Sequence, residues 1–158
     1  MPRMAYFEQR DVLKLSGATR IARLMGLPTS SGMTDLALVK RIEKGLPLRA
    51  VEEIARVVNP DDKATKFAFV SRSTYSRLKK AQKNHLSKEL SEKLHGVARV
   101  LDEALQLWKG DREAVERFLK RPHSLLEGRT PFDVARESTV GADLVAKIIG
   151  EARAGVAV

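Results

Sequence analysis

The chain has 158 residues, of which 43% are hydrophobic and 31% are charged, and these shares describe a soluble globular protein long enough for one or two compact domains. It contains no cysteine, which excludes disulfides, thiolate zinc sites and thiol nucleophiles. No apolar run reaches the roughly 18 residues that span a bilayer, and the start MPRMAYFEQRD lacks the apolar segment of a signal peptide, so we expect a cytoplasmic protein.

The net charge of +9 is confined to one half of the chain. Residues 1–85 contain 17 Lys and Arg against 8 Asp and Glu, whereas residues 86–158 contain 12 of each. The densest stretch, residues 63–83, has seven cations and no acid. This asymmetry indicates that one half meets a polyanion and that the other half has a different task.

Apolar residues recur at helical spacing along the chain, and no run alternates as a strand would, so we expect an all-α fold. Thr34 can cap a helix that Gly45 ends, and Thr130 followed by Pro131 is typical of a helix start. In chain order the predicted helices cover residues 10–25, 35–44, 48–58, 62–68, 73–83, 87–110 and 111–120, then one that starts at Pro131, and finally 141–154.

The longest helical pattern begins at Leu86, with Ser87 as its N-cap, and Gly110 closes it. Steps of three and four residues carry one apolar stripe along about six turns. The stripe predicts core or dimer contacts at Leu90, Leu94, Val97, Leu101, Leu105 and Trp108.

Four regions follow from these patterns. We expect an N-terminal extension over residues 1–33 that is partly helical or mobile, and a helix-turn-helix region over residues 34–85. A long connecting and dimerisation helix spans residues 86–110, and a small helical domain spans residues 111–158.

Residues 61–83 fit a helix-turn-helix, in which the second of two short helices presents cations and hydrogen-bond donors outward. Thr74, Leu78 and Ala81 share one helix face and can pack inward. Arg77 suits bidentate contact with guanine, whereas lysines suit phosphates. Spacing alone leaves a basic solvated surface as the alternative. The predicted DNA-binding residues are Lys66, Arg72, Ser73, Thr74, Ser76, Arg77, Lys79, Lys80 and Lys83.

Four stretches, in order, carry a family pattern. RIEKGLPLRAVEEI (41–54) gives a helix, a Gly-Leu-Pro turn and a helix, and SRSTYSRLKK (71–80) gives the start of a recognition helix. LSKELSEKLHGVARV (86–100) matches "L-S-x-E-x-S-x-R-L" with Lys93 in place of arginine. Residues 114–155 match a C-terminal signature in which Phe118 takes the usual tryptophan position. Over about 35–155 the chain therefore resembles the Xre/MbcA/ParS family of type II antitoxins.

The resemblance implies an antitoxin that neutralises a RES-domain toxin. Such a toxin consumes NAD, either by degrading it or by transferring ADP-ribose, and the C-terminal domain would cover its NAD cleft. The resemblance also implies operator DNA as a partner, repression of the protein's own operon, and a homodimer within the complex. By the same resemblance the toxin-binding candidates are Arg129, Thr130, Pro131, Gly141, Val145, Arg153, Gly155, Val156 and Val158.

Two other hypotheses remain open at this point. A helix-turn-helix regulator without a toxin would use its C-terminal half only for dimerisation or effector binding. An enzyme is the weakest hypothesis, because the chain has no Gly-rich phosphate loop and its histidines, His85, His95 and His123, lack ligand-like spacing. We therefore expect no catalytic residue, no cofactor and no metal.

Overall fold

The computed structural model describes residues 14–29 and 32–155, and within these ranges every regular element is a helix. Residues 10–13 of the first predicted helix, and Val156 and Val158, lie outside the described residues. The α-helices are α1 Gly17–Leu24, α2 Asp35–Lys44, α3 Leu48–Val58, α4 Arg72–Lys80, α5 Lys88–Leu107, α6 Arg112–Lys120, α7 Pro131–Glu137 and α8 Thr139–Arg153, and two 3-10 helices cover Lys63–Ala68 and Ser124–Leu126.

Two compact units divide the chain, one from Ser16 to His95 and one from Gly96 onward. The long helix α5 begins in the first unit and ends in the second. The all-α prediction is confirmed, as is the order of a helix-turn-helix region, a long helix and a small helical region.

The first unit is built around α3, which buries one apolar face through Leu48, Val51, Ile54 and Val58. The chain enters α3 through a tight turn at Gly45, whose φ of 98° favours glycine. A Cβ added at Gly45 would also collide with the carbonyl oxygen of Leu86. The backbone at Gly45 therefore has both a conformational and a steric reason to be glycine.

Hydrogen bonds join the start of α3 to the segment before α5. The amide of Leu48 donates to the carbonyl of Asn84 at 2.8 Å, and the amide of Leu86 donates to the carbonyl of Leu46 at 2.7 Å. The amide of Leu46 donates in turn to the hydroxyl of Ser91 at 2.8 Å. Ser91 is fully buried, so this bond satisfies a donor that water cannot reach.

These bonds explain a correction at the end of α4. The sequence predicts a helix over residues 73–83, but α4 covers Arg72–Lys80, and Ala81 adopts an extended conformation. Ser71 caps the helix by accepting from the amide of Thr74, which moves its start to Arg72. The helix ends early because residues 84–86 must pair with residues 46–48, so Ala81 is exposed and Lys83 lies outside the helix.

Smaller corrections concern three other elements. The first helix begins at Gly17 because Ser16 accepts from the amide of Thr19, so residues 14–16 are not part of that α-helix. The predicted helix over residues 62–68 is a 3-10 helix. The last helix begins at Thr139, two residues early, because Ser138 caps it through the amide of Gly141 at 2.9 Å.

The second unit packs α8 against the C-terminal part of α5. The stripe residues Val97, Leu101 and Leu105 are buried within this unit, and Val145 and Ile149 of α8 are buried as well. Gly96 lets the two helices approach closely, because an added Cβ would lie 2.8 Å from the Cβ of Ala142. Ion pairs of Arg99 with Asp143 and of Arg153 with Glu103 link the same helices.

The apolar stripe of α5 is therefore a core feature. Leu94 is buried in the first unit, and Leu90 and Trp108 at the ends of the stripe are half-buried. Dimerisation through this stripe stays a prediction, and the four buried leucine and valine side chains offer no surface to a second copy.

Candidate functional site

Helix α4 is held by one buried residue and presents polar side chains outward. Leu78 is buried, Thr74 is half-buried, and Ser73, Ser76 and Arg77 are exposed. The turn before the helix is anchored by buried Val70. Ser73, Ser76 and Arg77, which the sequence predicts to point outward, therefore lie together on the exposed face of α4.

Glu52 of α3 binds two residues of α4, and the sequence pattern did not reveal it. The Tyr75 hydroxyl donates to the Glu52 carboxylate at 2.6 Å, and the Lys79 ammonium donates to the same oxygen at 2.8 Å. Burial by itself raises the pKa of Glu52, but the hydrogen bonds from Lys79 and Tyr75 outweigh it, so this pKa lies below its usual 4.5. The hydrogen bond to Glu52 also raises the pKa of Lys79. The Lys79 ammonium is therefore already bound to Glu52, and this contact argues against the prediction that Lys79 binds a DNA phosphate.

Two aromatic rings form cation–π contacts with two further cations of the predicted DNA-binding set. The rings of Phe67 and Tyr75 meet edge to face at 5.6 Å between centroids. The Arg72 guanidinium lies 4.1 Å from the Phe67 ring centre, and the Lys66 ammonium lies 4.7 Å from that of Tyr75. Such cation–π contacts hold the charges in place while leaving them able to meet a phosphate.

The remaining cations of the predicted DNA-binding set are Arg77, Lys80 and Lys83. Within the described ranges, Arg77, Lys80 and Lys83 are exposed and form no ion pair with a carboxylate. Arg77 and Lys80 extend from α4 itself, whereas Lys83 extends from the segment that follows. These three side chains can reach DNA without first breaking a contact inside the protein.

The predicted toxin-binding residues fall into a surface group and an internal group. Pro131 and Val145 are buried, and a Cβ added at Gly141 would collide with the carbonyl oxygen of Val134. Packing inside the unit therefore accounts for all three residues, and Val145 has no exposed surface that a partner could contact. Arg129, Arg153 and Gly155 are exposed, and Thr130 is half-buried.

Contacts within the unit orient three of the surface candidates. The hydroxyl of Thr130 caps α7 by accepting from the amide of Asp133 at 3.2 Å. The Arg129 guanidinium donates to the Glu137 carboxylate at 2.6 Å, which raises the pKa of Arg129 and lowers that of Glu137. Arg153 pairs with Glu103 and also donates to Gln106 at 3.3 Å. A partner would meet these arginines already paired.

A cleft in the second unit brings together residues that the sequence analysis did not predict to form a site. Its volume is about 310 Å³, and it is lined by Trp108, Arg117, Phe118, Arg121, Pro122 and His123. Spacing alone could not reveal it, because the turn at Lys109 and Gly110, both with positive φ, folds Trp108 back onto α6.

The described part of the chain holds no group of three or more His, Cys, Asp or Glu side chains that could bind a metal ion. None of its helices is long and apolar enough to cross a membrane.

Comparison with known proteins agrees with this division of the chain. Residues 37–99 match the model of the antitoxin Xre-like helix-turn-helix domain, and residues 103–155 match the model of the antitoxin Xre/MbcA/ParS C-terminal toxin-binding domain. The chain is 28% identical over 136 residues to the protein "Antitoxin Xre" of Photorhabdus laumondii subsp. laumondii. The aligned region covers 85% of this chain and 88% of that relative. No solved structure matches the chain significantly. The two matched domains, in this order, show that the chain belongs to the Xre/MbcA/ParS family of antitoxins, with one domain for DNA and one for a toxin.

Proposed function

We propose that this antitoxin neutralises a RES-type toxin that consumes NAD, that its C-terminal unit covers the toxin's active site, and that α4 binds the operator of its own operon. The observation that carries the proposal is the difference in charge between the units. Residues 16–95 contain 16 Lys and Arg against 8 Asp and Glu, whereas residues 96–155 contain 10 of each. A polyanion would be attracted to the first unit and not to the second.

For DNA we assign the base-reading role to Arg77 and phosphate contacts to Lys80 and Lys83. All three side chains are exposed and form no ion pair with any residue that the structure describes. Lys66 and Arg72 are positioned by the aromatic rings of Phe67 and Tyr75. Ser73, Thr74 and Ser76 lie in the first half of α4, where their hydroxyls can meet phosphates. Lys79 serves mainly to hold α4 on α3 through Glu52.

For the toxin we assign contacts to residues 111–158, and within them to the exposed candidates Arg129, Thr130, Arg153 and Gly155. Pro131, Gly141 and Val145 shape the unit from inside. A regulator without a toxin is the alternative function. The match of residues 103–155 to a toxin-binding domain favours the antitoxin over that alternative.

The test uses the protein encoded beside this chain, which we expect to be the RES-domain toxin, and titrates its NAD consumption. We expect that protein to arrest growth when expressed alone and the chain to restore growth. With the purified proteins, the rate of NAD loss should fall in proportion to added chain until an equivalence point is reached. A neighbour that is harmless alone, or NAD consumption that excess chain leaves unchanged, would refute the proposal.

A further inference from the structure

The cleft in the second unit has aromatic walls built from three elements. Trp108 follows the end of α5, Phe118 lies on α6, and His123 lies in the loop after α6, directly before the 3-10 helix Ser124–Leu126. The rings of Trp108 and Phe118 lie 5.2 Å apart at 45°, and those of Phe118 and His123 lie 6.1 Å apart, edge to face. These rings form an open apolar surface with room for a large side chain, at the lower end of the size range of ligand pockets.

Two arginines without a carboxylate partner flank this surface. Arg117 and Arg121 line the cleft and are exposed, and neither forms an ion pair within the described residues. The nearby Glu116 pairs instead with Arg112 at 3.1 Å and with Lys120 at 3.9 Å. The helix dipole accounts for cations at the end of α6, but it does not account for an open aromatic cleft beside two of them.

We propose that this aromatic–arginine cleft is a docking site for the toxin, and that it receives an aromatic or aliphatic side chain of the toxin that lies next to a carboxylate. The rings would cover the apolar side chain, and Arg117 and Arg121 would bind the carboxylate in fork-like hydrogen bonds. This inference rests on the proposed function and adds a surface to it, since none of the toxin-binding candidates assigned from the sequence lines the cleft.

Charge favours a protein occupant over a nucleotide. The rim continues from Arg117 and Arg121 to Lys120 and to the two acids Glu113 and Glu116. A diphosphate would bring several negative charges past these two acids, whereas a single carboxylate can sit beside the arginines alone. The cleft also lies within residues 103–155, which match the toxin-binding domain.

Trp108 makes the docking measurable, because it is the single tryptophan of the chain. Antitoxin labelled with fluorotryptophan gives one fluorine resonance from a wall of the cleft. We expect the purified toxin to shift this resonance and NAD alone to leave it unchanged. A shift caused by NAD alone would overturn the inference in favour of a nucleotide site, and an unshifted resonance in the toxin complex would overturn it outright.

A pair of charge-reversed variants tests the arginines. Arg117→Glu with Arg121→Glu should raise the Kd for the toxin about 30-fold or more, because the bound carboxylate meets repulsion in place of two hydrogen bonds. Lys40→Glu with Lys44→Glu on α2 changes the net charge equally, at the same spacing, and should leave this Kd within about twofold. If circular dichroism shows that the glutamate pair unfolds the unit, Arg117→Gln with Arg121→Gln replaces it, with a Kd expected to rise about tenfold.

The outcomes separate the two proposals. Wild-type chain that binds and inhibits the toxin, with a Kd unaltered by the arginine variants, would overturn the cleft and leave the proposed function standing. Wild-type chain that fails to bind the toxin would overturn both.

Discussion

At the scale of single residues, Ser91 shows how a short polar side chain specifies a turn. It is fully buried on α5, and its hydroxyl accepts from the amide of Leu46 across 45 positions of sequence. The Gly45 turn thereby gains a fixed partner for a backbone donor that would otherwise stay unpaired in the core.

We predict that Ser91→Ala lowers the free energy of unfolding by about 1–3 kcal/mol, because it leaves the buried amide of Leu46 without an acceptor. Urea denaturation followed by circular dichroism measures the loss. Ser76→Ala, at an exposed position of α4, should change stability by less than about 0.5 kcal/mol. Equal stability of the two variants would contradict the role given to Ser91.

Glu52 gives a prediction about pH. Its pKa in the folded protein lies below the usual 4.5, so its contribution to stability is fully present above pH 4.5 and is lost as pH falls through the lower, folded pKa. We expect Glu52→Gln to cost about 1 kcal/mol at pH 7, because the charge that holds Lys79 and Tyr75 is gone. The difference between variant and wild type should shrink as pH falls below 4.5.

Denaturant titrations at pH 7 and at decreasing pH below 4.5 measure this difference. Glu43→Gln, an exposed acid on α2, is the matched control and should show almost no difference at either end. A cost of Glu52→Gln that is the same at pH 7 and at the lowest pH would show that the ion pair does not contribute as described.

At the scale of elements, local signals located the helices, whereas contacts between distant residues decided where α4 ends. The Thr34 hydroxyl caps α2 by accepting from the amide of Ala37, so the start of α2 could be predicted from the sequence. The end of α4 could not, because the bonds between residues 84–86 and 46–48 decide it. These bonds join residues about 40 positions apart (84–86 with 46–48), and the helical spacing of apolar residues gives no sign of such pairs.

The same limit explains which site residues were missed. The basic face of α4 could be predicted because Ser73, Ser76 and Arg77 share one helix face. Glu52 and Tyr75 meet only through the packing of α3 on α4, and Trp108 meets Phe118 only through the turn at Gly110. Conversely, Val145 was predicted to bind the toxin because it matches the family signature, but its side chain is buried. A family signature includes residues that pack in the core as well as residues that contact a partner.

The cations of α4 should therefore separate into two classes. We predict that Arg77→Ala weakens operator binding by about 1–3 kcal/mol and relaxes sequence preference, since it removes a base contact. Lys79→Ala should have a smaller effect on DNA affinity than Arg77→Ala, because Lys79 already binds Glu52. Fluorescence anisotropy with labelled operator at constant salt compares the two. An effect of Lys79→Ala as large as that of Arg77→Ala would reverse the assignment.

At the scale of the whole molecule, the two units differ in charge, with the excess of cations in residues 16–95 and a balance in residues 96–155. We predict that operator affinity falls steeply with salt, and that Lys80→Ala reduces the slope of log K against log salt by about one, since each phosphate contact releases a counterion. Anisotropy titrations at several salt concentrations give this slope. A slope that Lys80→Ala leaves unchanged would place the phosphate contact elsewhere.

The central claim is that the basic unit binds DNA while the charge-balanced unit neutralises the toxin. It is tested by measuring inhibition of the NAD consumption that we propose for the toxin. The inhibitor is the double variant Arg77→Ala with Lys80→Ala, after the operator binding of this variant has been shown to be lost. We expect an inhibition curve that superimposes on that of the wild-type chain, because both side chains belong to the first unit. Loss of inhibition in the folded double variant would contradict the division of tasks between the two units.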